Sequence, residues 1–255
     1  MKRLLHVLLA LVGSVAGFIA LLAAHAYFTT PDVSYLKTTN PQTTAFMEYR
    51  RKEAKRSGRT LRIRHRWISL RRIPKILQRT IIVAEDAAFW VHNGVDWDEM
   101  RNALHQNWEE KRIVRGASTI TQQTAKNLFL SPHRNLYRKI KEFFIARELE
   151  KHLSKRRILE IYLNSIEFGR GIFGIYSASQ YYFGKSPEEL TLSEMVRLAA
   201  IIPAPLRLNP TRPNRELRWR SFVILRRLYK HGFINRSQFQ YTEGRLKRFF
   251  SSGKA

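Results

Sequence analysis

Two adjacent carboxylates, Glu85 and Asp86, interrupt an apolar run, with Ile81, Ile82, Val83 and Ala84 before them and Ala87, Ala88, Phe89, Trp90 and Val91 after them. A helix through this run is hydrophobic on every side, so it belongs in an interior, and Asn93-Gly94 is expected to end it. Acidic side chains are almost never fully buried unless paired, and an unpaired one raises its pKa or finds a donor. On helical spacing Glu85 shares a face with Leu77, Ile81 and Ala88, which predicts that it is the more desolvated of the two acids. That environment suits a general base. The competing expectation is a structural ion pair with one of the many arginines. A further acid, Glu142, follows Arg138 by four residues, a spacing that places both on one helix face; taken alone it describes an ordinary surface pair worth about 0.2–0.5 kcal/mol.

The elements that must position these acids are legible from caps and breakers. Pro74 opens a helix that runs into the acid pair, and Trp97 to Glu110 resumes helical spacing. Arg115-Gly116-Ala117-Ser118 breaks the chain before Thr119-Ile120-Thr121-Gln122, which fits a capping box. A helix starting there aims free backbone amides and its positive dipole end forward, and an anion is the natural guest. Gln123, Lys126 and Asn127 fall on one face of it, although a solvated side is the plainer expectation. Leu128-Phe129-Leu130 runs into Ser131-Pro132 and is expected at a loop or edge, where it could dip into lipid. The helix containing Arg138 turns Ile140, Phe143, Phe144, Leu149 and Leu153 inward. Ser154 caps the next, whose Ile158, Leu159, Tyr162, Leu163 and Ile166 form a scaffold stripe, with Glu160 and Asn164 orienting neighbours. Gly169 and Gly171 precede a helix ending at Gly184; Thr191 to Glu194 is a second capping box, and two amphipathic helices follow over roughly 214–230 and 237–250.

Composition sets the company this chain keeps. Its 255 residues include no cysteine, which excludes a disulfide framework, a thiolate zinc site and a cysteine nucleophile. A formal charge of +26 implies an anionic partner: nucleic acid, anionic lipid or a phosphorylated substrate. Lys2 and Arg3 precede an apolar run from Leu4 to Phe28, long enough to span a bilayer and longer than the ~7–15 apolar residues of a cleavable signal. A signal anchor is predicted, with removal at Ala24-His25-Ala26 the alternative. The positive-inside rule puts residue 1 in the cytoplasm and the rest outside. The 44 Lys and Arg against 20 Asp and Glu beyond residue 28 then point to phospholipid head groups and lipid-linked phosphates rather than DNA. Residues 29–45 lack a period and are read as a linker. From Arg50 to Arg79 there are 13 Lys and Arg against one acid, Glu53, and Leu61 to Trp67 alternates as a half-buried strand with a cationic face suited to an anionic bilayer. The expected organisation is an anchor over 1–28, a linker and basic juxtamembrane segment over 29–59, and one mainly α-helical domain over 60–255.

Several of these segments stand in the order and spacing of one family: Glu85 to Gly94, Gly116 to Gln123, Arg138 to Glu142, Arg157 to Asn164, and Leu192 to Pro203. The chain resembles the family 51 glycosyltransferases, the peptidoglycan polymerases, over roughly residues 60–213. It departs at Ala117, where many members carry a second glycine. The chain stops soon after this region, as monofunctional members do, and Ser34-Tyr35-Leu36-Lys37 is expected to be a coincidental echo of a transpeptidase serine-lysine pair. The resemblance implies a lysozyme-like, two-lobed helical fold with a hydrophobic part in the outer leaflet. It implies that Glu85 deprotonates the C4 hydroxyl of lipid II. That oxygen attacks C1 of a polyprenyl-pyrophosphate-linked glycan with inversion to a β-1,4 bond. Lys126 and Arg138 neutralise the departing pyrophosphate. Glu142 is the second carboxylate, either holding a divalent ion such as Mg or Mn or orienting Arg138. Asp86, Ser118, Gln123, Asn127 and His92 are implied to position substrate or structure. Implied partners are lipid II, the lipid-linked glycan, the membrane and other cell-wall synthesis proteins, and no nucleic acid. Two other functions compete with synthesis: a lysozyme-like enzyme that cleaves finished glycan, for which clustered cations have no use, and a membrane-tethered basic binding protein, which leaves buried acids unexplained.

Overall fold

Apolar residues at three- and four-residue intervals build most of this protein, and the computed structural model describes residues 2–110, 116, 118–133 and 135–252. The helix α1 (Lys2–Phe28) has a mean hydropathy of 2.6 across its most apolar stretch and is long and apolar enough to cross a membrane. Only its end meets the body. Ala26 is fully buried, His25 bonds the hydroxyl of Tyr137 (2.7 Å), and the ring of Tyr27 lies edge-on to Phe144.

The body comprises α2 (Ala45–Arg56), α3 (Lys75–Glu85), α4 (Trp97–Glu109), α5 (Ile120–Phe129), α6 (Leu136–His152), α7 (Lys155–Ser165), α8 (Ile175–Phe183), α9 (Leu192–Ile201), α10 (Arg215–Lys230) and α11 (Arg236–Ser251). One group packs α5 against α6 and α7, and the other packs α3 against α9 and α10, with α11 behind them. Both predicted capping boxes form, Thr119 with Gln122 and Thr191 with Glu194. Gly184 closes α8 at φ +65°, a left-handed turn that costs glycine nothing.

A small sheet packs on α8, with β1 (Arg64–His65) parallel to β3 (Ile172–Phe173) and β3 antiparallel to β2 (Glu167–Gly169). The strand predicted over 61–67 is thus reduced to two residues. The amide of Arg64 reaches Gly171 O (2.7 Å), but that of Arg66 is taken by the Ser177 hydroxyl (3.0 Å), so α8 ends the ladder. Two of its arginines lie over tyrosines of α8, Arg64 on Tyr181 and Arg66 on Tyr176.

Three other expectations are corrected. The acid-pair helix stops at Glu85, not at Asn93-Gly94, because Asp86 turns to an extended conformation and gives its side chain to partners elsewhere. The stretch expected as linker is ordered. Val33 and Leu36 enter the core, Arg157 grips the carbonyls of Leu36 and Thr39, and Thr44 caps α2, whose Met47, Arg50 and Ala54 face inward. Arg50 then makes a two-pronged, buried pair with Glu167 (2.8 and 2.9 Å), fastening α2 to β2. Finally, Leu128 and Leu130 are core residues against which Phe129 packs, so this triplet closes α5 inside the protein. The Ser34 hydroxyl donates to Asp32, a local turn contact. Residues Arg115 and Ala117 lie outside the described residues.

Asn164 is the latch between sheet and helices. Fully buried, it accepts from Ile68 N (2.9 Å) and donates to Ile68 O (2.9 Å) and Glu160 O (2.8 Å), while Glu160 accepts from Leu70 N. Its own carbonyl crowds Gly174, where an added Cβ would meet it at 2.7 Å. Asn164→Leu keeps the volume but strands the Ile68 amide and carbonyl, each at a cost of about 1–3 kcal/mol. Urea unfolding is expected to show that loss, and wild-type stability would contradict it.

Candidate active site

Asp86 ties α3 to α5. It caps the end of α3, is 8% exposed, and accepts the first amide of α5, Ile120 N, at 2.8 Å. The anion expected at this helix N-terminus is therefore internal, a carboxylate of the chain itself. His92 holds it from the other side. Gly94 donates its N–H to His92 Nδ1 (3.2 Å), which leaves the proton on Nε2, facing both oxygens of Asp86 at 3.0 Å. The Thr119 hydroxyl adds a 2.6 Å bond to Gly94 O. The bonds of Asp86 and His92 run to the protein itself; by exposed area Asp86 is the more buried of the two acids, whereas it is the carboxyl of Glu85 whose pKa burial raises.

Glu85, the last residue of α3, is partly exposed. Leu77 and Ile81 behind it are fully buried, as its helix face predicts. Protein surrounds the carboxyl enough that desolvation raises its pKa above the ordinary carboxylate value. The Gln123 hydrogen bond, Lys126 and Arg220 pull the other way, and Asp86 adds a small upward push. Gln123 Nε2 donates to Glu85 Oε2 at 2.8 Å.

The facing wall belongs to α6. Glu142 is 2% exposed and accepts from Arg138 Nη1 (2.8 Å) and from Lys139 Nζ, whose ammonium also reaches the Ser118 hydroxyl (3.1 Å). This is no surface pair. Among the described residues, Arg138 Nε is a buried donor with no partner. Lys126 feels both Glu85 and Glu142. Burial lowers its pKa most, Arg138 and Lys139 lower it further, and Glu142 and Glu85 both raise it. Its ammonium lies 5.7 Å from the ring centroid of Phe46 on α2. Asn127 is buried next to Lys126 and hydrogen-bonds to neither acid.

The residues singled out in the sequence therefore converge, with Glu85, Gln123 and Lys126 on one side and Arg138, Glu142 and Ser118 on the other. Three contributors were missed. Lys139 was within reach of helical spacing, three residues before Glu142. Tyr162, whose hydroxyl bonds Gln123 Oε1, was hidden in an apolar stripe. Arg220, on α10, left no local signal. A divalent ion does not fit the donors present. Both oxygens of Glu142 are engaged by cations, and among the described residues no group of three His, Cys, Asp or Glu gathers.

A family model described as Transglycosylase matches residues 52–229. The chain is 39% identical over 218 residues to a biosynthetic peptidoglycan transglycosylase of Laribacter hongkongensis, covering 86% of this chain and 96% of that one. Proteins of the same description from Methylobacillus flagellatus and Neisseria gonorrhoeae are 42% and 38% identical, over 74% and 80% of this chain and 82% and 87% of theirs. Among solved structures, Penicillin-Binding Protein 1A from Haemophilus influenzae aligns over 71% of this chain and 17% of its own, with 23% identity and a TM-score of 0.42, too partial a likeness to carry an inference.

Because the Glu85 pKa is raised on folding, its ionisation opposes folding. The stability it contributes is complete below the unfolded carboxylate pKa and is lost as pH rises through the folded one. Glu85→Gln is neutral at every pH, so it is expected to melt above wild type at neutral pH and to lose that advantage below about pH 4. Thermal unfolding across pH checks this. A variant that melts lower than wild type at neutral pH would make Glu85 half of a structural ion pair.

Proposed function

This chain belongs to the transglycosylase family and is a peptidoglycan glycosyltransferase, and we propose that it extends glycan by transferring a polyprenyl-pyrophosphate-linked chain onto the C4 hydroxyl of lipid II. Glu85 takes the hydroxyl proton as the oxygen attacks C1 of the donor. The bond from C1 to pyrophosphate breaks, and the electron pair leaves with the phosphate. Entry opposite an α-linked leaving group gives a β-1,4 bond, hence inversion. Lys126, Arg138 and Lys139 meet the charge that develops on the pyrophosphate, and Glu142 holds the last two in place.

What supports this direction is Lys126. Burial lowers its pKa and both Glu85 and Glu142 raise it against that burial, so the proton acceptor and the cations act on one another. A glycosidase of the usual two-carboxylate kind needs a second acid free to act as nucleophile or base, and Glu142 is tied to two cations. The lytic reading therefore falls behind synthesis, and a nucleic-acid binder has no use for the desolvated acid.

The helix α1 is long and apolar enough to cross a membrane, and we take it as the anchor of the enzyme. We place residue 1 in the cytoplasm, since Lys2 and Arg3 flank that end, with the catalytic body outside the cytoplasmic membrane. Helix α4 exposes Trp97, Leu104 and Trp108, the last 85% exposed, and an aromatic path from Trp97 through Phe143 and Phe144 reaches Tyr27 of the anchor. That apolar face suits the outer leaflet, close to lipid-borne substrate.

Substitutions at three site residues, with one outside the site as a control, test the roles on detergent-solubilised lipid II. Glu85→Gln is expected to bind lipid II and lose about 10²–10⁴-fold in polymerisation, the usual contribution of a general base. Lys126→Ala and Arg138→Ala should each lose about 10²–10³-fold, whereas Arg62→Ala, outside the site, should stay near wild type. Arg138→Lys is expected between wild type and alanine, since it keeps the charge and loses the planar fork. Equal turnover for Arg138→Ala and Arg62→Ala would remove the pyrophosphate role, and release of soluble sugars from purified sacculi without polymer would favour lysis.

A further inference from the structure

Tyr162 lies in the middle of α7, fully buried, with its hydroxyl 3.1 Å from Gln123 Oε1. The opposite end of the same amide, Nε2, donates to Glu85 Oε2 at 2.8 Å and reaches Ser118 O at 3.5 Å. An amide oxygen carries no hydrogen, so the phenol must be the donor in this pair. Burial, with the nearby charges of Glu85 and Asp86, raises the phenol pKa well above its ordinary value, so it remains a donor across the working pH range.

The consequence concerns which end of Gln123 faces Glu85. A half-turn of the amide swaps oxygen for nitrogen at nearly the same positions. With nitrogen toward Glu85, the amide donates and favours the carboxylate. With oxygen toward Glu85, it repels the carboxylate and accepts a hydrogen bond from the O–H of the neutral acid. We propose that Tyr162 is a positioning residue of the transfer reaction: by donating to Gln123 Oε1 it locks the amide with nitrogen toward Glu85 and keeps that side chain in its proton-accepting form. The proposal rests on Glu85 being the base. It assigns to a tyrosine of the helical scaffold, which touches neither substrate nor reacting atoms, control over the pH at which the site works.

The test is the pH profile of kcat/KM for the full chain acting on lipid II. Tyr162→Phe removes one oxygen from the interior and leaves the ring. It is expected to move the acid limb to higher pH by up to about one unit. That is a loss of roughly 10-fold at pH values below the limb, with turnover recovered above it and KM little changed. Gln123→Leu should displace the limb in the same direction, and adding Tyr162→Phe to it should have no further effect, because the tyrosine acts only through the amide. A wild-type limb in Tyr162→Phe would overturn the proposal, as would additive displacements in the double variant. A packing role alone would lower the melting temperature without moving the limb. If Tyr162→Phe does not fold, a wild-type limb in Gln123→Leu would be equally decisive against it. Glu85→Gln separates the two levels: turnover with an unchanged acid limb in that variant defeats the assignment of the base, whereas a dead Glu85→Gln beside an unshifted Tyr162→Phe defeats only the relay.

Discussion

The carboxylate of Asp86 on the first amide of α5 is the contact from which the rest of the site hangs. It joins positions 34 apart in the sequence, the end of the helix carrying Glu85 and the start of the helix carrying Gln123 and Lys126. A charge at a helix N-terminus contributes about 0.3–1 kcal/mol when exposed and up to ~2 kcal/mol when partly buried. Here His92 adds a second bond to the same oxygens, and its tautomer is set by the Gly94 amide. The apolar residues around Asp86 exclude water from the joint, and Phe89, three residues on, is fully buried. Glu85 owes its place at the end of α3 to this turn. If the helix continued through residue 86, Asp86 could not leave its axis to meet α5.

The site holds two groups whose surroundings press on them in opposite senses. Burial raises the pKa of Glu85 and lowers that of Lys126, and each ion partly relieves the other. Setting a proton-accepting carboxylate and a charge-neutralising cation apart by environment is how one site serves both halves of a displacement. The wall of α6 supplies the remainder. Arg138 and Lys139 are aimed by Glu142, whose burial would be costly without them. The two helix groups meet at this point, because α10 also sends Arg220 toward Glu85 and Arg227 to the carbonyl of Val83 on α3.

Much of this was legible because it is local. Glu85 stood out as an acid in an apolar run, Arg138 and Glu142 lay at helical spacing, and the cap of α5 was written as Thr119 to Gln122. The helix order from α3 to α11 followed from breakers and apolar periods. The failures share a physical origin in contacts between distant segments. Periodicity carried the acid-pair helix past Asp86 because the partner of that side chain, Ile120, lies on another element. The helix at α5 was correctly expected to face an anion, but the anion was internal. The linker reading of 29–45 missed that Arg157 pins its carbonyls, and the half-buried strand was cut short by a serine of α8. Tyr162 looked like one more apolar residue because its single polar atom finds its partner on a different helix.

The joint at Asp86 is measured most directly by amide hydrogen exchange at Ile120 in the wild-type chain and in Asp86→Ala. If the carboxylate holds the start of α5, exchange at Ile120 accelerates by roughly 10-fold, in line with the loss of a charged cap, while amides in the centre of α7 stay protected. Equal protection of Ile120 in both proteins would mean that α5 is anchored by something else, and that the base and the cations are not held together by this contact.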